Sequence, residues 1–285
     1  MKSILVPTDF SANADNAIMY ALEMNKKFNA KISLFHSYFI PVYAAEVPMN
    51  VPSLVELKND AMKALEKVRE KINMSFPGNK FMIETSVAEG IPDDEISAVA
   101  EKKKPDLLIM GTKGARGLRE VLIGTTTASV MKNINCPIIA VPSEAKFREI
   151  KKIVFATNYA ENDFENIESV IDFAKHYNAE VIILHIFTGH LSKSFEFNSI
   201  ERFEQRIKED SGYDRLNFKL FENKDVEEGV SIYLDESNAD LIAMTNRHRS
   251  FFQKLFDQSI TKKMVNHTHI PLMAFHVKER GNYLI

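Results

Sequence analysis

The sequence predicts an α/β chain of two tandem flavodoxin-like (Rossmann-like) domains, each a five-stranded parallel sheet with helices on both faces. Three observations lead there. The chain has 285 residues, more than one hydrophobic core ordinarily organises, so two domains are expected. It also repeats itself: "SILVPTDFSANADNAIMYALEMNKKFNAKISLFHSY" from Ser3 aligns without a gap on "KIVFATNYAENDFENIESVIDFAKHYNAEVIILHIF" from Lys152, an offset of 149 that superposes His36 on His185. Farther along the offset is 134, with "PDLLIMGTKG" at Pro105 on "ADLIAMTNRH" at Ala239, and "CPIIAV" at Cys136 on "IPLMAF" at Ile270. Finally, strand-type runs alternate with helix-type patterns inside each copy, which is the signature of parallel strands joined by crossover helices. The change in offset falls where Pro-rich "SYFIPVYAAEVPMNVPSLVE" shortens to "FTGHLSKSFEFN". The boundary lies near Ser143 to Lys152, giving units at 1–146 and 147–285.

The elements of the first copy follow in order. "SILVPT" is a buried strand. "NADNAIMYALEMNKKFN" places Ala17, Met19/Tyr20 and Met24 on one helical face, with Asn29 as a stop. "AKISLFHSY" is a second strand, "SLVELKNDAMKALEKVREKI" a long helix and "FMIETSVA" a third strand. "PDDEISAVAEKKK" is a helix with acidic residues in its first turn and lysines in its last, complementing its dipole. The strand "DLLIMG", a helix through "TTASVMKNI" and the strand "CPIIAV" close the copy.

Composition narrows the function. Hydrophobic residues make up 45%, charged residues 26%, and the net charge is −3, so there is no basic surplus for a nucleic-acid backbone and none is expected as a partner. No apolar run approaches a membrane span, and "MKSILVPTDF" meets Pro7 and Asp9 before a signal-like core can form. A cytoplasmic protein is therefore expected. A single cysteine, Cys136, excludes an internal disulfide framework. It precedes Pro137 at a strand start and suits a buried small residue better than a catalytic thiol. "HTH" at His267 to His269 lacks neighbouring carboxylates or cysteines and suits a polar turn better than a zinc site.

In a doubly wound sheet, ligands bind beyond the carboxyl ends of the strands where strand order reverses. If the first and fourth strands meet there, the residues are Pro7, Thr8 and Asp9 after one, and Gly111 to Gly114 after the other. Glycines let backbone amides approach an anion, and Gly124 with Thr125 and Thr126 opens a helix whose free N–H groups suit phosphate. The competing reading makes Asp9 only an N-cap and the glycines only turns. Neither G-x-x-x-x-G-K-[ST] nor G-x-G-x-x-G occurs. What does occur is G-x-x-G-x9-G-[ST], through Gly111, Gly114, Gly124 and Thr125.

With "ILVPTDFS", "LFHSY", "DLLIMGTKG", "IGTTT" and "CPIIAVP", that pattern makes both halves resemble the universal stress protein family. For its ATP-binding members, the resemblance implies that Asp9 holds the ribose hydroxyls, with Pro7 and Thr8 as its wall. It further implies that the Ser37 backbone meets the adenine and Met110 flanks it, while Gly111, Gly114, Gly124, Thr125 and Thr126 carry the phosphates of ATP or a related adenine nucleotide, with Mg2+ bound through those phosphates. Family members dimerise through their last strands, so "CPIIAV" and "PLMAFHV" are expected to make an intramolecular pseudo-dimer, with a further homodimer on the same surfaces.

The second half departs from this pattern: Ala156 and Asn158 replace Pro7 and Asp9, and Thr245, His248 and Gln258 replace Gly111, Gly114 and Gly124; Ser259 stands for Thr125. A degenerate second site is expected, "NRHRS" (Arg247, Arg249) being a solvated loop or a place for a different anion. Two function classes remain: a stress-response binding module loaded with ATP, and a slow ATPase or autophosphorylating enzyme. Lys113 and Arg116 supply cations, but no general base is evident, which favours binding.

Overall fold

A computed structural model of the chain describes residues 1–40, 53–112, 123–189, 193–246 and 269–276. Strand β1 (Ser3–Pro7) is followed by helix α1 (Ala12–Asn25), whose N-cap is Ser11, its hydroxyl accepting the Ala14 N–H. Then come β2 (Lys31–Tyr38) and α2 (Leu54–Ser75), opened by a capping box between Ser53 and Glu56. The first half continues through β3 (Ile83–Glu89), α3 (Pro92–Lys103), β4 (Leu107–Gly111), α4 (Thr125–Asn133) and β5 (Ile138–Val141). The second repeats the plan with β6 (Lys152–Ala156), α5 (Asp163–Lys175), β7 (Glu180–Phe187), α6 (Lys193–Ser211), β8 (Leu216–Glu222), α7 (Val226–Ser237), β9 (Leu241–Asn246) and β10 (Leu272–His276).

The strands form one sheet in the order β3-β2-β1-β4-β5-β10-β9-β6-β7-β8. Each half is parallel and has the order 3-2-1-4-5, so strand order reverses between β1 and β4, which pair through Ile4↔Leu107 and Leu5↔Leu108. The halves join where β5 and β10 run antiparallel, Ile139 opposite Met273. Strands covered on both faces read as continuous apolar runs, and Ile4, Leu5 and Val6 are all fully buried.

Alternate residues feed two core layers that both run across the two halves. Ile4, Ile109, Ile139, Phe155 and Met273 meet α1, α2, α5 and α6 on one face; Leu5, Leu108, Ile138, Val154 and Ile242 meet α3, α4 and α7 on the other. Outside the sheet, Phe28 stacks on Phe173 at 5.5 Å, and the Tyr177 hydroxyl donates to the Met24 carbonyl at 3.1 Å, tying α1 to α5.

The duplication extends to unusual backbone. Six non-glycine residues among those described have positive φ, and they are three repeat pairs: Phe10 and Tyr159, Asn29 and Asn178, Lys104 and Asn238. Such conformations cost energy and persist where the surroundings impose them; Asn29, the helix stop expected from sequence, lies past the end of α1, which stops at Asn25 with Lys26 as its C-cap. One face assignment is corrected. Tyr20 is buried, but Met19 is 37% exposed, because it lies about 100° around the helix from Tyr20, off the stripe of Ala17, Ala21 and Met24.

Candidate functional site

The loop leaving β1 is held by its own short-range bonds. The Thr8 N–H donates to the Phe35 carbonyl at 2.8 Å, continuing the pairing with β2. Thr8 Oγ1 accepts the Phe10 N–H at 3.0 Å and Asp9 Oδ1 accepts the Ser11 N–H at 3.0 Å, turning the chain sharply into α1. Phe10, at φ 61°, lays its ring 4.4 Å from that of His36, whose Nδ1 is 2.7 Å from the Thr8 carbonyl oxygen. Burial holds the His36 pKa below its usual value, partly offset by that hydrogen bond and by the Asp9 carboxylate. The neutral ring therefore donates Nδ1–H to Thr8. Asp9 itself is exposed and does not cap α1; Ser11 does, which removes the competing reading of Asp9 as a helix cap.

The opposite wall comes from β4. The Thr112 N–H donates to the Val141 carbonyl at 3.0 Å, and the Thr112 carbonyl in turn accepts the Gly124 N–H. Thr112 and Gly124 are thus pinned together at the mouth of the sheet. Thr127 Oγ1 donates to the Gly111 carbonyl at 2.9 Å, fixing the start of α4 against β4. Gly124 is the N-cap of α4 and brings no side-chain cap. The first-turn amides of α4 are accordingly available as anion donors.

Between these walls lies a cleft of about 140 Å³ at the carboxyl ends of β1, β2 and β4. Pro7, Thr8 and Asp9 line it from β1, Ser37 from β2, Met110 and Gly111 from β4, and Thr126 from α4. Segments separated by a hundred residues converge there because the reversal of strand order leaves a gap between the crossover helices.

The fold agrees with the comparisons with known proteins. The model of the universal stress protein family matches residues 1–142 and again residues 149–276. The chain belongs to the universal stress protein family. A universal stress protein of Methanocaldococcus jannaschii is 33% identical over 147 residues, 51% of this chain and 84% of that one. A second from the same organism is 28% identical over 152 residues, 49% of this chain and 94% of its own. Among solved structures, a universal stress protein from Archaeoglobus fulgidus superposes with a TM-score of 0.71 over 96% of this chain and 98% of its own, at 16% identity; that likeness speaks to the fold alone.

In this tandem universal stress protein, seven of the residues chosen from sequence line the cleft. Gly124 and Thr125 stand beside it, as the N-cap and the exposed first residue of α4. Gly114 lies outside the described residues, as do Lys113, Arg116, the Pro41 to Pro52 loop and, in the second half, Arg247, His248, Arg249, Gln258, Ser259 and His267. The sequence did not single out Ala14, Phe35, His36, Pro92, Ile96 or Thr127 as cleft residues; all six line the cleft. Pro92 and Ile96 come from α3, which carries no local sign that it reaches the cleft. Ala14 had a signal, the first inward position of α1.

Burial pushes the Cys136 thiol up to about 11, away from a reactive thiolate. Among the described residues, no cluster of three or more His, Cys, Asp and Glu could hold a metal, and no helix is long and apolar enough to cross a membrane.

Proposed function

We propose that the first half, residues 1–146, binds ATP or a related adenine nucleotide as a cytoplasmic stress-response module, and that the second half, residues 147–285, does not. The observation that carries this is the convergence of Pro7, Thr8 and Asp9 with Met110, Gly111 and Thr126 on one cleft at the β1–β4 reversal. The chemistry of these residues suits the ligand. An exposed carboxylate, Asp9, accepts from hydroxyls such as those of ribose; Met110 and Phe35 give an apolar wall for a base; the uncapped start of α4 gives amide donors for phosphate. Magnesium, when bound, would neutralise the phosphates and take its ligands from them.

Binding is favoured over turnover. Among the described residues, the two titratable groups lining the cleft, Asp9 and His36, are both engaged in holding the β1 loop, through Ser11 and Thr8. A transfer enzyme needs a base free to take a proton from the attacking group. Mass spectrometry of nucleotide released from freshly purified protein tests the ligand. Calorimetry with magnesium tests the site: Asp9→Ala and Gly124→Val should each abolish ATP binding with the fold intact, and unchanged affinity in both contradicts the assignment. Gly124 sits at φ −67°, an ordinary value for any residue, so valine there meets no backbone strain.

A further inference from the structure

The second half keeps the backbone of the cleft and changes the side chains beside it. The Thr157 N–H donates to the Leu184 carbonyl at 2.9 Å, as Thr8 does to Phe35. Thr157 Oγ1 accepts the Tyr159 N–H at 2.8 Å, and His185 Nδ1 is 2.9 Å from the Thr157 carbonyl oxygen, so the β6 loop duplicates the β1 loop. In the first half two lining residues, Ala14 and Gly111, have no side chain beyond Cβ. The same repeat positions in the second half are Asp163 and Thr245.

These side chains meet. Thr157 Oγ1 donates to Asp163 Oδ2 at 2.6 Å, and Thr245 Oγ1 donates to Asp163 Oδ1 at 2.5 Å. Asn166, at the repeat position of Ala17, donates its Nδ2 to Thr245 Oγ1 at 2.8 Å. Each hydroxyl therefore gives its proton to the carboxylate and accepts one from an amide. Asp163 is only 1% exposed. Burying a carboxylate this far is costly unless its oxygens are bonded, and both are.

We propose that Asp163 is a built-in occupant of the second-half cleft. Its carboxylate, clamped between the β6 and β9 ends, fills the volume that the first half leaves open for a ligand. The second half is closed from within, which is distinct from an open site that lacks contacts. The identity of the excluded ligand rests on the nucleotide reading above; the closure does not.

The two ideas separate experimentally. Adenosine is the probe, because it needs no phosphate cradle. Asn158→Asp alone, which restores the ribose-facing carboxylate but leaves Asp163 in place, should bind one equivalent per chain in calorimetry, like the wild type. Asn158→Asp/Asp163→Ala/Thr245→Gly should bind two. A second equivalent with Asn158→Asp alone, or one equivalent with the triple variant, overturns the proposal.

A crystal structure of Asp163→Ala/Thr245→Gly without ligand tests closure directly. An open cleft beside Thr157 and Met244 supports the occupant even if no form binds adenosine, whereas a cleft that stays filled overturns it. Should that variant fail to fold, Ala14→Asp/Gly111→Thr carries the pair into the first half. The introduced carboxylate should bond Thr8 Oγ1 and close the cleft; a carboxylate turned to solvent over an open cleft contradicts the proposal.

Discussion

His36 Nδ1 lies 2.7 Å from the carbonyl oxygen of Thr8. The contact ties the end of β2 to the loop after β1, and with it the floor of the cleft to one wall. Burial is the main cause of the low His36 pKa, while the Asp9 carboxylate pulls it upward. The folded value is therefore below 6.5, and the folded state binds fewer protons than the unfolded chain near that pH. The stabilisation is present above the unfolded value and is lost as pH falls through the folded one. In an NMR titration His36 should titrate below the usual histidine range, and Asp9→Asn should lower it further. An upward shift in that variant would mean that Asp9 does not face the ring.

Glu84 gives a second pH dependence far from the cleft. Hydrogen bonds from Lys103, Lys31 and Ser33 hold its carboxyl down to about 2. Its contribution is complete above the unfolded carboxyl value and fades as pH falls toward the folded one. The side chain is 34% exposed, so solvent screening keeps the effect to ~1 kcal/mol or less. Urea midpoints should show Glu84→Gln destabilised at pH 7, with the gap shrinking as pH falls below the unfolded carboxyl value and closing only as it passes the folded value of about 2; a gap that stays constant throughout would exclude the ion pairs as the cause.

The joint between the halves is apolar and tight. Ile139 is fully buried and faces Met273 across the antiparallel pair. Ile139→Ala should cost about 2–5 kcal/mol in a single unfolding transition, because both core layers run through the joint. Two separated transitions, with only one displaced, would show that the halves unfold independently.

Cys136 should resist thiol reagents. With its pKa raised to about 11, the thiolate is scarce at neutral pH, so labelling by a disulfide reagent at pH 7.5 should be slow in native protein and complete in urea. Rapid native labelling would contradict its partly buried setting.

Much of this architecture was legible in the sequence. The strands announced themselves because burial on both faces demands continuous apolar runs such as "ILV" and "LLIM", and the repeat offset exposed the duplication and paired His36 with His185. Both clusters at the β1–β4 reversal carry short polar and glycine residues directly after strands, where only a turn or a site can use them. Pro92 and Ile96 were not legible, since their place at the cleft depends on how α3 packs, a tertiary fact with no local spacing. Nor was Asp163. At a helix start an aspartate satisfies the dipole and looks like a surface residue; only the fold shows its carboxylate buried between Thr157 and Thr245. Met19 was assigned inward because it neighbours Tyr20 in sequence, although the helical period turns the two apart.

Titration of the chain with both halves present against ATP and magnesium, followed by calorimetry, bears most directly on a nucleotide site confined to the first half. One equivalent per chain is expected, lost in Asp9→Ala and retained in Asn158→Ala. Two equivalents, or binding that survives Asp9→Ala and disappears with Asn158→Ala, would contradict it.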